Sequence, residues 1–451
     1  MKKYITVFAM ALMMHGMHAQ IAGHWETASP MPEKLSNNAV AALTIDDTCF
    51  VFSFMGIDST KIWSGITRNA YRLNTVTGEW KQIAPVPGNV GRIAASAQPF
   101  RGEIYIFGGY SVTISGNETT WSNVDIYDPA TDTYRSGANA PTPVDDQVTV
   151  VWRDSLIYNI SGWSNTNNTK KVQAYNPVAD SWAQATPISG PGVFGHAGAI
   201  VGDTIVYING VRVSGFNFVM STGSYMGVID PNDPMSITWE TLPDHPGNPK
   251  YRAAAGNFGQ RAVFTGGTTN PYNFDGIGYN GQPSNPVDFT FGFNRKTADW
   301  EIYTAADIAT MDHRGFVGCA NRMYVVGGMI ENQRVSSTVN VFVVDSVITG
   351  IIDEITQHPK KFQLFQNYPN PFNPATTIKY DLPQTDHVRV SVFNMLGQKI
   401  RTLVDARQSA GSYSIQWDGT DQHGKSVSSG IYFYKFVTGN TRQWRKMILI
   451  R

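Results

Sequence analysis

Cysteine is nearly missing from this 451-residue chain: Cys49 and Cys319 are the two it has, which excludes a disulfide-framework fold and any multi-cysteine metal site. Charge is scarce and balanced. Only 16% of residues are charged, 35 basic against 35 acidic, so no global field draws the chain to nucleic acid or anionic lipid, and neither is expected as a partner. No segment approaches the ~18 uninterrupted apolar residues of a membrane-spanning helix. Local catalytic signatures are also lacking: there is no Gly-x-Ser-x-Gly elbow, no His-Glu-x-x-His zinc helix and no phosphate-cradling loop. No metal and no cofactor is therefore expected, although a site assembled from distant loops would leave no such mark.

Glycine and aromatic residues are abundant, with 42 Gly, 23 Phe, 20 Tyr and 11 Trp, a composition that favours strands and tight turns over helices. The length exceeds one ordinary core, so two folded units are expected. At the N-terminus Lys2-Lys3, the apolar run from Tyr4 to Met14 and the stretch His15 to Gln20 match a secretory signal over residues 1–19, cleaved after Ala19.

A unit recurs through the first three quarters of the chain. Its first mark is an apolar strand, a polar turn and a second strand ending in small residues, at Ala39 to Gly56, Ile93 to Gly109, Gln147 to Gly162, Ala197 to Gly210, Arg252 to Gly267 and Phe316 to Gly328. Each reads as a β-hairpin. Its second mark is a strand, a turn and an aromatic residue, at Trp80, Tyr134, Trp182, Trp239 and Trp300, separated by 54, 48, 57 and 61 residues. Together they make a four-stranded propeller blade.

The unit resembles the kelch repeat, with intact glycine pairs at Gly108-Gly109, Gly266-Gly267 and Gly327-Gly328 and degenerate ones at Met55-Gly56, Ser161-Gly162 and Asn209-Gly210. The sixth repeat lacks an aromatic-tipped strand, but His24-Trp25-Glu26-Thr27-Ala28-Ser29-Pro30 copies Glu79 to Pro85. This predicts a six-bladed propeller over 24–346 whose last blade is closed by the N-terminal strand, leaving no open sheet edge. The two cysteines then fall in neighbouring blades one and six, where they either pair or remain half-buried thiols.

After a linker over 347–360, residues 361–451 read as an immunoglobulin-like β-sandwich with strands at Thr376 to Tyr380, His387 to Asn394, Lys399 to Leu403, Gly411 to Trp417, Gly430 to Val437 and Arg442 to Leu449. This segment is similar to the C-terminal sorting domain of type IX secretion cargo. The resemblance is carried by Asn367-Tyr368-Pro369-Asn370-Pro371-Phe372-Asn373-Pro374, by the Leu396-Gly397-Gln398 turn, by Trp417-Asp418-Gly419, by Ser429-Gly430-Ile431-Tyr432 and by the Lys446 to Arg451 end. It implies the type IX secretion machinery as a partner and a secreted or outer-membrane surface location in a Gram-negative bacterium. An ordinary adhesion module is the alternative.

Ahead of the first strand of each blade, side chains are expected to converge on the propeller mouth. Arg92, Arg252 and Arg314 are read there at matching positions, with Asp146, His196 and Asn38 near the corresponding places and His313 adjacent. Three guanidiniums would clamp a carboxylate or sulfate, and His196 with Asp146 would move a proton; alternatively the arginines tie blades together. Trp63, Trp121, Trp163, Phe216, Phe218, Tyr272 and Tyr279 lie in long loops and would stack on sugars or anchor a protein, or merely pack the loops. Exported kelch propellers include sialic acid mutarotases and a copper radical oxidase; nothing around Cys49 supports the Tyr-Cys pair of the latter. The expected function is binding of a glycan or protein, with a sugar-directed enzyme as the rival.

Overall fold

Hairpin turns with residues that accept positive φ, such as Asp46-Asp47 and Arg153-Asp154, join the first two strands of each repeat, and alternation of side chains lets both faces of the sheet be buried against neighbours. In the computed structural model, which describes residues 23–345, 362–382, 386–408, 411–439 and 441–450, these repeats form six four-stranded antiparallel blades. The leader expected over 1–19 and the linker expected over 347–360 lie outside the described residues.

Blade 1 consists of Ala39–Ile45, Thr48–Ile57, Ile66–Asn74 and Trp80–Ile83, and blade 2 of Ser96–Phe100, Glu103–Phe107, Val124–Asp128 and Thr133–Gly137. Blade 3 takes Val148–Trp152, Leu156–Ile160, Val172–Asn176 and Ser181–Ala185; blade 4 takes Ala197–Val201, Thr204–Ile208, Ser224–Ile229 and Ile237–Leu242. Blade 5 is built from Ala254–Phe258, Arg261–Thr265, Thr290–Asn294 and Asp299–Ile302. In blade 6, Val317–Cys319, Arg322–Val326 and Val339–Val344 are completed by Gly23–Ala28, which pairs antiparallel with Val339–Val344 so that Trp25 faces Phe342 across the ladder.

The aromatic residue on each outer strand has a shared task. Trp80, Tyr134, Trp182, Trp239, Trp300 and Trp25 each donate a hydrogen bond to a main-chain oxygen just beyond the outer strand of the preceding blade: Ser29, Ala84, Ala138, Thr186, Pro243 and Thr304, at 2.7–3.1 Å. A ring with a donor at its tip is required, which explains why Tyr replaces Trp in blade 2. Other aromatic rings fill the wedges between blades, as where Phe52 and Phe54 of blade 1 meet Tyr127 of blade 2 at 6.1 and 5.8 Å, and each such pair adds roughly 0.5–1.5 kcal/mol to its area burial.

The glycine pairs have a structural reason that also explains their degeneracy. Both positions of all six pairs have positive φ, including Met55, Ser161 and Asn209 at the first position. At the second position a Cβ would lie 2.5–2.9 Å from the carbonyl oxygen of the residue that bridges to the following one, namely Ser36, Ile93, Asp145, Phe194, Tyr251 or Met311. That contact admits only glycine, and the second position is glycine six times.

Cys49 and Cys319 form a disulfide with a Cα separation of 5.9 Å, which resolves the open alternative in favour of pairing. The C-terminal unit is a two-sheet sandwich, with Gln363–Leu364, Thr376–Leu382 and Gly411–Trp417 in one sheet and Lys399–Gln408, Asp386–Asn394, Gly430–Thr438 and Thr441–Leu449 in the other. Its own core includes Leu364, Ile378, Val390, Trp417, Tyr434, Phe436 and Met447.

Candidate functional site: the loop face of the propeller

A residue three to six positions before each blade's first strand bridges to the end of strand two or the start of the loop that follows it: Ser36 to Ile57, Ile93 to Tyr110, Asp145 to Trp163, Phe194 to Val211, Tyr251 to Thr268 and Met311 to Met329. These bridges gather the six loops on one face and fix the register around the axis. The residue immediately after each bridge, Asn37, Ala94, Asp146, Gly195, Arg252 or Asp312, has φ between 51° and 75°. Their main chains form a head-to-tail ring: Ala94, Asp146, Gly195 and Arg252 donate to the ring position before them, Asn37 donates to Asp312, and His313 donates to Arg252, at 2.8–3.3 Å.

This register corrects the expected alignment of the arginines. Arg92 precedes its bridge residue, Arg252 is the first after its own and Arg314 the third, so they do not hold equivalent places. Arg92 is buried in an ion pair with Asp125. Arg252 binds Asp146 at 2.6 Å and Asp312 at 3.0 Å, lies over the rings of Tyr251 and Tyr272 at 4.9 and 5.2 Å, and donates to the main-chain oxygen of Asn273. Arg314 reaches Asp146 and donates to Asn37 at 2.7 Å. Arg252, Arg314, Asp146 and Asp312 are all at most 3% exposed. The axis is thus closed by two guanidiniums and two carboxylates that neutralise one another, and the three-arginine clamp is not formed.

Burial opposes the charge on Asp146, but Arg252 and Arg314 overcome it and hold the carboxyl below its ordinary range. Its neighbour Asp145 behaves in the opposite way: burial, then the charge of Asp146, raises it well above that range, while Thr120 donates to it at 2.6 Å. Sequence reading passed over Asp145, whose only signal is a second carboxylate beside the first. His196 and His313 are buried and pushed down to about 3, chiefly by desolvation, so both are neutral at pH 7. His313 pairs with Thr310 at 2.9 Å, and His196 stacks edge-on against Tyr207. With its basicity lowered this far by burial, His196 is a weak base at pH 7.

Over this plug lies the long blade-5 loop, residues 268–286. Asn273 accepts a hydrogen bond from Tyr110 at 2.9 Å and donates to Glu118 at 2.5 Å, both in blade 2. Lys61 of the blade-1 loop donates to Asp275 O at 2.7 Å, Gln333 of the blade-6 loop donates to Ser284 O at 2.8 Å, and Tyr279 stacks on Phe218 of blade 4 at 4.2 Å. One loop therefore spans the face and touches four other blades. Tyr272 of this loop, expected as an exposed aromatic, is fully buried, because it packs edge-on against Tyr251 at 5.5 Å.

The remaining loop aromatics form a rim. Trp63 and Tyr279 are 43% and 41% exposed, and Phe216, at the tip of the hairpin Val211–Ser214/Asn217–Met220, is fully exposed. Trp163 is half-buried against Phe194 and Phe218, and Trp121 is tied to Ser111 at 2.9 Å. Among the described residues no group of three or more His, Cys, Asp and Glu is placed to hold a metal ion.

The residues of the C-terminal motif are mostly structural. Asn367 is buried, its main-chain N–H donating to the Tyr434 hydroxyl and its side chain to Thr376, both at 2.9 Å. Phe372 packs on Trp417 and bridges to Leu449, which anchors Pro369, Asn370, Pro371, Asn373 and Pro374 along the end of the sandwich, and Asn370 accepts from the main chain of Ile448 at 2.8 Å. Gly397 takes positive φ in the turn after Asn394, and Gly430 opens its strand.

Fold and face together define a kelch-type propeller followed by an immunoglobulin-like sandwich. The comparisons bear on each part. Residues 373–441 match the FlgD Ig-like domain family. The chain is 27% identical over 199 residues to the Kelch-like protein terF of Aspergillus terreus, covering 40% of each chain, and 33% identical over 169 residues to a putative F-box/kelch-repeat protein of Arabidopsis thaliana, covering 36% of this chain and 44% of that protein. It thus spans about two fifths of the length of these two curated relatives. It is also 23% identical over 359 residues to the N-acetylneuraminate epimerase of Pasteurella multocida, covering 68% of this chain and 90% of that enzyme. The solved structure of YjhT superposes with a TM-score of 0.56 at 16% identity, over 70% of this chain and 95% of that one, which is a likeness of fold.

Proposed function

We propose that this is a secreted or cell-surface protein whose propeller loop face binds a glycan or a protein partner without turnover, and that its C-terminal module is a sorting domain for type IX secretion. The observation that carries the binding reading is the sealed axis. Arg252 and Arg314 are spent on Asp146 and Asp312, and the 268–286 loop lies over them, so recognition falls to the aromatic rim of Trp63, Phe216 and Tyr279. Rings of this type supply large contact area at low cost in side-chain entropy.

The second reading is a sugar-directed enzyme. It is favoured by the likeness to the N-acetylneuraminate epimerase over 68% of this chain and by Asp145, a carboxyl held toward its protonated form near the mouth. Titrating sialic acid and neutral sugars on the full chain, with an anomer-exchange assay alongside, separates the two. Binding without exchange, weakened about tenfold by Trp63→Ala or Phe216→Ala, is the expected outcome. Exchange above the solvent rate that is lost in Asp145→Asn would establish the enzyme instead. For the sorting role, the chain with and without residues 353–451 is expressed in a type IX-competent bacterium, and only the full chain should leave the cell.

A further inference from the structure

We propose that the Cys49–Cys319 disulfide is a redox clasp for the propeller seam, so that the ring closes fully only once the chain has been oxidised. The seam joins blade 6 to blade 1, the two ends of the repeat array, and it is one of the two junctions that rest on the shortest inner strand in the ring. The inner strand of blade 6, Val317–Cys319, has three residues, whereas those of the other five blades have five or seven. Its outer strand, Gly23–Ala28, comes from the far end of the propeller sequence.

Besides the packing of Val40, Val51 and Leu73 against Tyr324, Val326 and Val341 and the Trp80 bond to the Ser29 oxygen, three devices hold this junction, each at a different place. On the loop face, Ser36 donates to Asp312 at 2.6 Å and Arg314 donates to Asn37 at 2.7 Å. At the periphery, the ladder of Gly23–Ala28 with Val339–Val344 runs for six residue pairs. At the opposite face, blades 2 and 3 are tied by Arg101 and Asp154 at 3.0 Å, blades 3 and 4 by Arg153 and Asp203 at 2.7 Å, and blades 4 and 5 by Arg295 and Thr204 at 2.6 Å. At the seam the tie on that face is the disulfide, between the second strand of blade 1 and the inner strand of blade 6.

A cross-link spanning 270 residues restricts the open chain more than a local one would, the effect growing with the logarithm of loop length. Without it, bringing the N-terminal strand to blade 6 carries the whole closure entropy, and departure of that strand bares the edge of Val339–Val344, whose six residues are all buried. Closure is a thiol–disulfide exchange. One cysteine thiolate attacks a disulfide oxidant and expels a thiolate; the second attacks the mixed disulfide and expels the other. The two cysteines together lose two protons and two electrons, and the oxidant becomes two thiols.

The test is hydrogen exchange read by mass spectrometry on the full chain, oxidised and after graded reduction, with Cys49→Ala/Cys319→Ala as a reagent-free counterpart and thiol titration to count free cysteines. Exchange in Gly23–Ala28 and Val339–Val344 should accelerate about tenfold or more on reduction and in the double variant, while blades 3 and 4 keep their protection, and the thermal midpoint should fall by about 4–10 °C. Equal acceleration in all blades, no change at the seam, or two free thiols in the protein purified without reductant would overturn the proposal. Should the double variant fail to fold, reduction of the folded wild type gives the same reading.

Discussion

Asp145 and Asp146 are neighbours in sequence and both fully buried; burial raises both carboxyls, but at Asp146 the guanidiniums of Arg252 and Arg314 outweigh it, whereas at Asp145 the charge of Asp146 adds to it. Asp146 is held low by Arg252 and Arg314, so it contributes stability above the unfolded carboxylate range near ~3.9 and loses it as pH falls through its lower folded value. Asp145 is raised by burial and by Asp146, so its contribution is present below that range and is lost as pH rises through its folded value. Asp146→Asn leaves Arg252 and Arg314 short of a counter-charge and should cost about 3–5 kcal/mol at pH 7. Asp145→Asn keeps an acceptor for Thr120 and should stay within about 1 kcal/mol of wild type. Urea midpoints at pH 4, 5.5 and 7 check both, and equal losses in the two variants would contradict the assignment. This site was only partly legible in the sequence. Arg252, Arg314 and Asp146 were singled out and do meet, but the six residues of the axial ring share a backbone conformation and not a side chain, so nothing in Asn37, Ala94 or Gly195 announces the register that the arginines obey.

The blade was far more legible, because its constraints fall on residue type. A donor-tipped ring is needed at each outer strand and a glycine at each second pair position, and both recur in the sequence; the partner carbonyls, being main chain, do not. The closing strand shows what the pattern is worth. Trp25 is 8% exposed, stacks on Phe316 at 5.9 Å and meets Phe342 at 5.2 Å. Trp25→Phe should lose the bond to Thr304 and about 1 kcal/mol, and Trp25→Ala about 3–5 kcal/mol, with tryptic release of the N-terminal strand as the readout. At the end of the same strand, His24 bonds Glu26 at 3.2 Å and Asp345 at 2.9 Å, and these two bonds raise its pKa above the ordinary 6.5. The strand is therefore held best below that value, and the hold is lost as pH rises through the raised one. The thermal midpoint should decline slightly between pH 6 and 8 in the wild type, and His24→Ala should decline less across that window.

At the scale of the molecule the chain divides into two compact units, 1–352 and 353–451, and the C-terminal unit has a core made of its own residues, among them Phe372, Trp417, Tyr434 and Leu449. The propeller gains its closure from its own first strand and its own disulfide. Among the described residues neither unit draws on the other to complete a sheet or a core, so each should unfold as a cooperative block of its own. Calorimetry of the full chain should resolve two transitions, and truncation after Ile352 should remove one and leave the other within about 1 °C of its midpoint. A propeller midpoint that drops on truncation would mean that the sandwich stabilises it. Independence matters to the sorting proposal, since a module that serves export need not support the fold of its cargo, and a propeller destabilised by the loss of residues 353–451 would give that module a structural task instead.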